Sequence, residues 1–458
     1  MRFRNLTRHR EIGANCYLLE SAGSRLVIDA GMHPKMVGMD ATPNLAAVPF
    51  GKVDAVLLSH AHHDHIGALP MLQRRLPGTP VYMTEPTGEV GAAMLHNSVN
   101  VMTSQRDELN LTDYPLFTHR EVDELKPMWT YAPLRRDIEL PGADDLEATF
   151  YDAGHILGST GIMVREGDKS LFYTGDVCFE PQTMSMAADF PTEPVDVLVM
   201  ETTRGHHVRP ADYSRRAEKE RLGKLICDTF EAGGSLLIPV FALGKTQEVM
   251  LMLHELHQHD LIPEMPLFIG GLSTKITILH DQYADKWRRN YPGFSLLRDI
   301  DILVAQRKKR KEITYQSRCI YALSSGMMSE NTTSNVFAQK FLDNPRNSVA
   351  FVGYTDPDSP GHKVRIAKTG EKVQLDKRQL PVEVNARIES FDFSAHATRE
   401  SIMEYVAKIS PKKVLNFFRW AATASTLSPS NPGTTTSASL NILSSPPPSR
   451  SVFSGSPH

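Results

Sequence analysis

The sequence predicts an α/β protein built from more than one unit. Short apolar runs in the first 200 residues each end at a polar residue followed by a loop. After about Gly205, strand-length runs alternate with helix-like segments. The 458 residues, 41% hydrophobic and 22% charged, exceed one ordinary domain while keeping a globular composition.

Each element follows from its pattern. Arg25–Asp29 (RLVID), Val53–Ser59 (VDAVLLS), Ser170–Thr174 (SLFYT) and Val195–Met200 (VDVLVM) are apolar or β-branched runs of strand length. In Tyr213–Ala232, Leu222, Leu225, Ile226 and Phe230 recur at helical spacing, and Ser235–Val240 reads as a strand. Val249, Met252, Leu253 and Leu256 mark one face of a second helix. Cys319–Leu323 and Val349–Tyr354 are buried-type strands, and Ile402, Val406 and Ile409 define a helix before a strand at Lys413–Phe417. Strands alternating with helices imply a parallel sheet in this second unit. The last 38 residues, from Ala421, hold 11 Ser, 5 Thr and 6 Pro with no Lys, Asp or Glu. Such a composition cannot offset the entropy of ordering and reads as disordered.

Composition narrows the function classes. Fifty basic and 53 acidic side chains give a net charge of −3, so a nucleic-acid partner needs a local basic patch. The four cysteines, Cys16, Cys178, Cys227 and Cys319, form no CxxC pair, which excludes a cysteine zinc site and points to a reducing compartment. The first residues lack the apolar core of a signal peptide, and no run reaches the ~18 apolar residues of a membrane span. The expectation is a soluble, cytoplasmic protein with no membrane partner.

The strongest local signal is Ser59-His-Ala-His-His-Asp-His65, directly after a strand. In such a turn His60 and His62 can face one metal while Asp64 and His65 face a neighbour, and imidazole with carboxylate suits zinc and similar ions. The plain alternative is an exposed histidine-rich turn. Remote candidates stand at other strand ends: Asp29, His155 in YDAGHILGS and Asp176 in YTGD. Singly, each also reads as a turn or polar core residue.

In this order, Asp29, His60-x-His62-x-Asp64-His65, His155 and Asp176 resemble the metallo-β-lactamase fold. The resemblance implies a four-layer αββα sandwich with two zinc ions in a cleft at the sheet edges. His60, His62 and His155 would hold the first ion, Asp64 and His65 the second, and Asp176 would bridge them. Asp29 would orient the histidine turn, and His63 would not be a ligand. Glu201-Thr-Thr-Arg, Pro239–Glu248 (PVFALGKTQE), Ser324-Ser-Gly-Met and Phe393-Ser-Ala-His396 resemble the β-CASP branch of that superfamily, the nucleic-acid nucleases. Overall likeness is to its compact bacterial and archaeal RNases and to the nuclease subunit of the cleavage and polyadenylation specificity factor. The expected division is 1–205 for the metallo-β-lactamase unit, 206–380 for an inserted α/β β-CASP cap, 381–420 for the return segment and 421–458 for the tail.

The implied chemistry is hydrolysis of RNA phosphodiester bonds by a hydroxide that two zinc ions activate, with endonuclease and 5′–3′ exonuclease action both open. His396 is the expected general acid, with Glu201 fixing its tautomer, beside Asp64 and Asp176. Substrate phosphates are expected at Lys245, at Ser324, Ser325 and Gly326, and at the basic run Arg307, Lys308, Lys309, Arg310 and Lys311, with a base on Tyr354. One departure stands out: Phe418 lies near the late-strand histidine of RNA-cleaving members, and after His396 the next histidine is His458. The second ion would then lose a ligand. A DNA-directed nuclease, a non-catalytic RNA-binding relative and an out-of-frame C-terminus stay open as readings. A homodimer also accords with the family.

Overall fold

The computed structural model describes residues 1–8, 13–21, 23–143, 145–300 and 314–416. The basic run Arg307–Lys311, Phe418 and the Ser/Thr/Pro-rich tail lie outside the described residues.

Strands β1 (Arg2–Asn5), β2 (Tyr17–Ser21), β3 (Ser24–Ile28), β4 (Ala55–Leu57), β5 (Val81–Met83) and β6 (Trp129–Tyr131) form a first sheet in that order. It is antiparallel from β1 to β3 and parallel from β3 to β6. Strands β7 (Asp137–Glu139), β8 (Leu146–Asp152), β9 (Thr160–Glu166), β10 (Lys169–Tyr173) and β11 (Val197–Met200) begin a second sheet. The chain then leaves to build a third from β12 (Leu236–Pro239), β13 (Leu267–Phe268), β14 (Ile320–Leu323) and β15 (Ser348–Phe351). A ribbon of β16 (Glu371–Val373) and β17 (Val382–Val384) precedes β18 (Arg387–Ser390), which joins the third sheet at the edge beside β15. Finally β19 (Lys413–Asn416) returns to the second sheet, parallel to β11. The cap's sheet therefore extends past residue 380 to take in Arg387–Ser390, since those residues find their hydrogen-bond partner in β15. The helix Arg399–Ile409 and β19 then carry the chain back to the second sheet.

The period-2 alternation of the strands creates the layers. Leu26 and Ile28 face the second sheet and pack with Phe150, Ile162, Val164, Leu171 and Tyr173. Val27, between them, turns to the opposite face, where Val56 and Leu58 meet Leu69, Leu72, Leu95 and Val99. On the far side of the second sheet, Met163, Phe172 and Leu198 pack against Ile402, Tyr405 and Ile409 of the helix Arg399–Ile409. Burying each such side chain contributes roughly 1.5–3 kcal/mol. The result is helix, sheet, sheet, helix.

The third sheet is parallel throughout, in the order β13, β14, β12, β15, β18, with apolar cores on both faces. Parallel strands of this kind place their loops for chemistry at the carboxyl edge. That edge faces the first unit. Ile156, Leu157 and Leu243 share one apolar cluster with Ala61 and Ile276. A side chain at Gly244 would come within 2.6 Å of Ile156. The cap is thereby seated against the residue next to His155. Among the described residues no helix is long and apolar enough to cross a membrane.

Candidate metal centre

The histidine turn leaves the carboxyl end of β4 and is pinned from outside. Asn15 N–H donates to the Asp64 carbonyl, Ala30 N–H to that of His65 and Met32 N–H to that of His63, each near 2.9 Å. Gly31 lies so close beneath that a Cβ there would stand 1.6 Å from the Asp64 carbonyl oxygen, so only glycine fits. Asp29 caps β3 with φ of 59°, a left-handed conformation that aspartate tolerates.

Hydrogen bonds fix the tautomers. Ser59 Oγ donates to Asp29 Oδ2 at 2.8 Å, so it accepts from His60 Nδ1–H at 3.0 Å, which leaves His60 Nε2 as a lone pair. His155 Nδ1–H donates to the Ala395 carbonyl at 2.8 Å, leaving Nε2 likewise bare. Both lone pairs converge on His62 Nδ1, at 3.2 and 3.0 Å. Asp176 Oδ2 lies 3.6 Å from each of the same two Nε2 atoms. These four residues form one compact ligand group. His62 can give a proton to only one of its neighbours, so the cluster holds more lone pairs than hydrogens.

A second set adjoins the first. His65 Nδ1–H donates to Asp29 Oδ2 at 2.7 Å, and its Nε2 faces Asp176 Oδ1 at 3.4 Å and Asp64 Oδ2 at 3.7 Å. Asp176 Oδ1 is buried and accepts no hydrogen bond of good geometry. One carboxylate thus turns an oxygen toward each set, and an orphaned buried oxygen facing lone-pair nitrogens suits a cation.

The electrostatics agree for the first set and differ at His65. Burial holds the His60, His62 and His155 imidazoles below the usual histidine range, in the neutral form that ligates metal. At His65 burial acts in the same sense but is outweighed by Asp176, Asp64 and Asp29, and the net shift is upward. Burial opposes ionisation of Asp176, yet His65 and its neighbours hold the carboxyl well below its ordinary value.

Glu201 and His396 stand beside this centre. Glu201 follows β11, is fully buried, and accepts from Val177 N–H at 2.7 Å. Both of its oxygens lie 3.2 Å from His396 Nδ1. Burial opposes protonation of His396, but Glu201 with Asp176 and Asp64 pushes the imidazole up to about 9. The His396 and His155 rings are 4.7 Å apart between centroids, and Ala395 links their loops.

His60, His62, His155 and Asp176 thus form one group, Asp176 forms another with Glu201 and His396, and His65 with Asp64 adjoins both through Asp176. The expected phosphate contacts differ. Lys245 is buried, and its Nζ donates to the Phe393 carbonyl, so it presents no charge to solvent. Ser325 Oγ accepts from Ser329 N–H, and the Ser324 and Ser325 carbonyls accept from Ser334. That serine loop thus satisfies much of itself, and Gly326 packs against Phe241. Tyr354 is 62% exposed, available for stacking rather than buried.

Several contributors escaped sequence reading. Tyr173 OH donates to Asp29 Oδ2 at 2.6 Å, so that oxygen receives three hydrogen bonds, from Ser59, His65 and Tyr173. The signal was a tyrosine closing a strand two residues before Gly175. Asn15 reaches His65 Nε2, with only its place before β2 to mark it. Lys35 pairs with Asp356 across the cleft at 2.7 Å.

Comparison with known proteins gives the family. Residues 9–225 match the metallo-beta-lactamase superfamily, 246–364 the Beta-Casp domain, and 381–417 the Zn-dependent metallo-hydrolase RNA specificity domain. The chain belongs to the β-CASP branch of the metallo-β-lactamase superfamily. It is 32% identical over 424 residues to transcription termination factor FttA of Methanothermobacter thermautotrophicus, covering 88% of this chain and 64% of that one. An RNase J-like protein of Methanocaldococcus jannaschii is 27% identical, with 89% of each chain covered. Cleavage and polyadenylation specificity factor 73 of Drosophila melanogaster is 27% identical, covering 89% and 58%. The chain thus spans under two thirds of the FttA relative. A crystal structure of a protein of unknown function from Enterococcus faecalis V583 shares the fold with TM-score 0.55 at 12% identity, covering 90% and 93%. Family and donor set together indicate a divalent metal.

Proposed function

We propose that this chain is a metal-dependent phosphodiesterase that processes single-stranded RNA, acting as an endonuclease on two zinc ions. The observation that carries the reading is Asp176, whose two oxygens each face a separate set of lone-pair donors. His60, His62 and His155 would hold one ion and Asp64 and His65 the other, with Asp176 shared. When bound, such ions lower the pKa of water and neutralise phosphate charge. The remaining steps belong to side chains. Asp29 keeps His65 and the histidine turn oriented through Ser59. Glu201 holds the Nδ1 proton of His396, which leaves Nε2 as the atom that protonates the departing 3′ oxygen as the P–O bond breaks. The cap seats over the cleft, and exposed Tyr354 offers a base platform. The match to an RNA specificity domain and the names of the relatives support RNA over DNA.

Four unpaired cysteines support a reducing, cytoplasmic setting. Internally and end-labelled RNA and DNA of matched sequence, with zinc and with chelator, test the assignment. Internal cleavage of RNA that zinc restores is expected. Faster cleavage of DNA would move the chain to the DNA-directed members, for which Phe418 speaks. RNA binding without cleavage would make it a non-catalytic relative.

A further inference from the structure

The second ligand set is short of a donor. Asp64, His65 and Asp176 supply three, and the sequence offers no histidine between His396 and His458. A fourth polar group already stands there. Asn15 is 1% exposed, and its Nδ2 position lies 2.9 Å from His65 Nε2. Its Oδ1 accepts from Tyr17 OH at 2.9 Å. Because His65 Nδ1–H donates to Asp29, the neutral ring presents a lone pair at Nε2, and the amide NH2 faces it. A half-turn of the amide exchanges the two atoms. The carbonyl oxygen then occupies the place beside Nε2, while Nδ2 donates to the Tyr17 hydroxyl, which can accept as readily as donate.

The spacing suits this second arrangement. Donors held about 2.0–2.2 Å from one ion stand roughly 2.8–3.6 Å from each other. The first set shows 3.0, 3.2 and 3.6 Å between its donors. His65 Nε2 itself stands 2.9, 3.4 and 3.7 Å from Asn15, Asp176 and Asp64. Asn15 is also rigidly carried, with its N–H on the Asp64 carbonyl and its own carbonyl receiving Gly31 N–H.

We propose that the Asn15 amide oxygen is a ligand of the second divalent cation, completing Asp64, His65 and Asp176. This deepens the two-ion reading above and rests on it. The second site is then one imidazole and three oxygens, against three imidazoles and one shared oxygen at the first. Oxygen-rich sets favour harder ions, so Mn2+ competes better against zinc at the second site than at the first.

The test is equilibrium dialysis of the full, chelator-stripped chain against Zn2+ and Mn2+, with bound metal counted, for wild type, Asn15→Ala and Asn15→Asp. Wild type should bind two equivalents. Asn15→Ala should weaken the second by about 10-fold or more with the first unchanged. Asn15→Asp should tighten the second, and the spectrum of bound Mn2+ should change in both variants. An unchanged second site in Asn15→Ala would overturn the assignment while leaving two ions in place. Equal loss at both sites in both variants would make Asn15 a packing residue and overturn it too. A single equivalent in wild type would remove the two-ion reading, and this inference with it.

Discussion

Among the described residues, the cluster at the seam and the cluster in the histidine turn are built on opposite terms. At the seam between the units, Glu248 accepts from Thr183 N–H at 2.6 Å and Met184 N–H at 2.8 Å and pairs with Arg215. Lys245 Nζ donates a hydrogen bond to the Phe393 carbonyl. Each charged side chain there has a partner within the protein, although Arg215 Nε itself finds none. In the histidine turn the balance is left open: lone pairs of His60 and His155 converge on one nitrogen, and Asp176 Oδ1 accepts no hydrogen bond. A closed cluster holds the units together, whereas an open one waits for a cation.

The contrast predicts unequal responses to substitution. Asp176→Asn removes the shared oxygen pair, and RNA cleavage should fall to about 10⁻⁴ of wild type or less, as for groups acting as a unit. Normal turnover would mean the open cluster is not the reactive one. His396→Ala should lower kcat about 10²- to 10⁴-fold, the range of a lost general acid, with zinc binding at the first site retained. Tyr173→Phe leaves the ligands intact but takes one hydrogen bond from Asp29, and zinc affinity by competition with a chelating dye should weaken about 10-fold.

The closed cluster should respond in stability and with pH. Burial lowers the Lys245 ammonium to about 8 from the ordinary lysine value of 10.5, with Glu248 opposing the shift and Arg215 adding to it. Below pH 8 the residue is charged in both folded and unfolded chains, and its burial destabilises the fold. Between pH 8 and 10.5 only the folded chain releases the proton, so the penalty disappears as pH rises. Urea unfolding of wild type and Lys245→Met at pH 7.5 and 10 should show wild type gaining on the variant by on the order of 3 kcal/mol. A difference independent of pH would contradict a buried ammonium. The smallest effect belongs to the Lys35–Asp356 pair, whose lysine is largely open to water, where Lys35→Ala should cost less than about 1 kcal/mol in the same assay.

The open cluster was legible in the sequence because its residues sit where strands end. Asp29, the turn after β4, Asp176 and Glu201 each follow an apolar run whose limits are plain, and β3, β4, β10 and β11 form on those runs. The closed cluster was not. Lys245 looks like an exposed helix start, and only tertiary packing against Phe393 buries it. Asn15 and Tyr173 act through partners 50 and 144 residues away, separations that no local pattern encodes. The pairing of Arg387–Ser390 was hidden for a related reason: the segment reads alike in either sheet until β15 supplies its partner.

Anomalous diffraction at the zinc edge from crystals of the zinc-loaded full chain tests the central claim most directly. The account predicts a peak bounded by His60 Nε2, His62 Nδ1, His155 Nε2 and Asp176, and a second on the other side of Asp176 beside His65 and Asp64. Those side chains in place with no peak among them would contradict it.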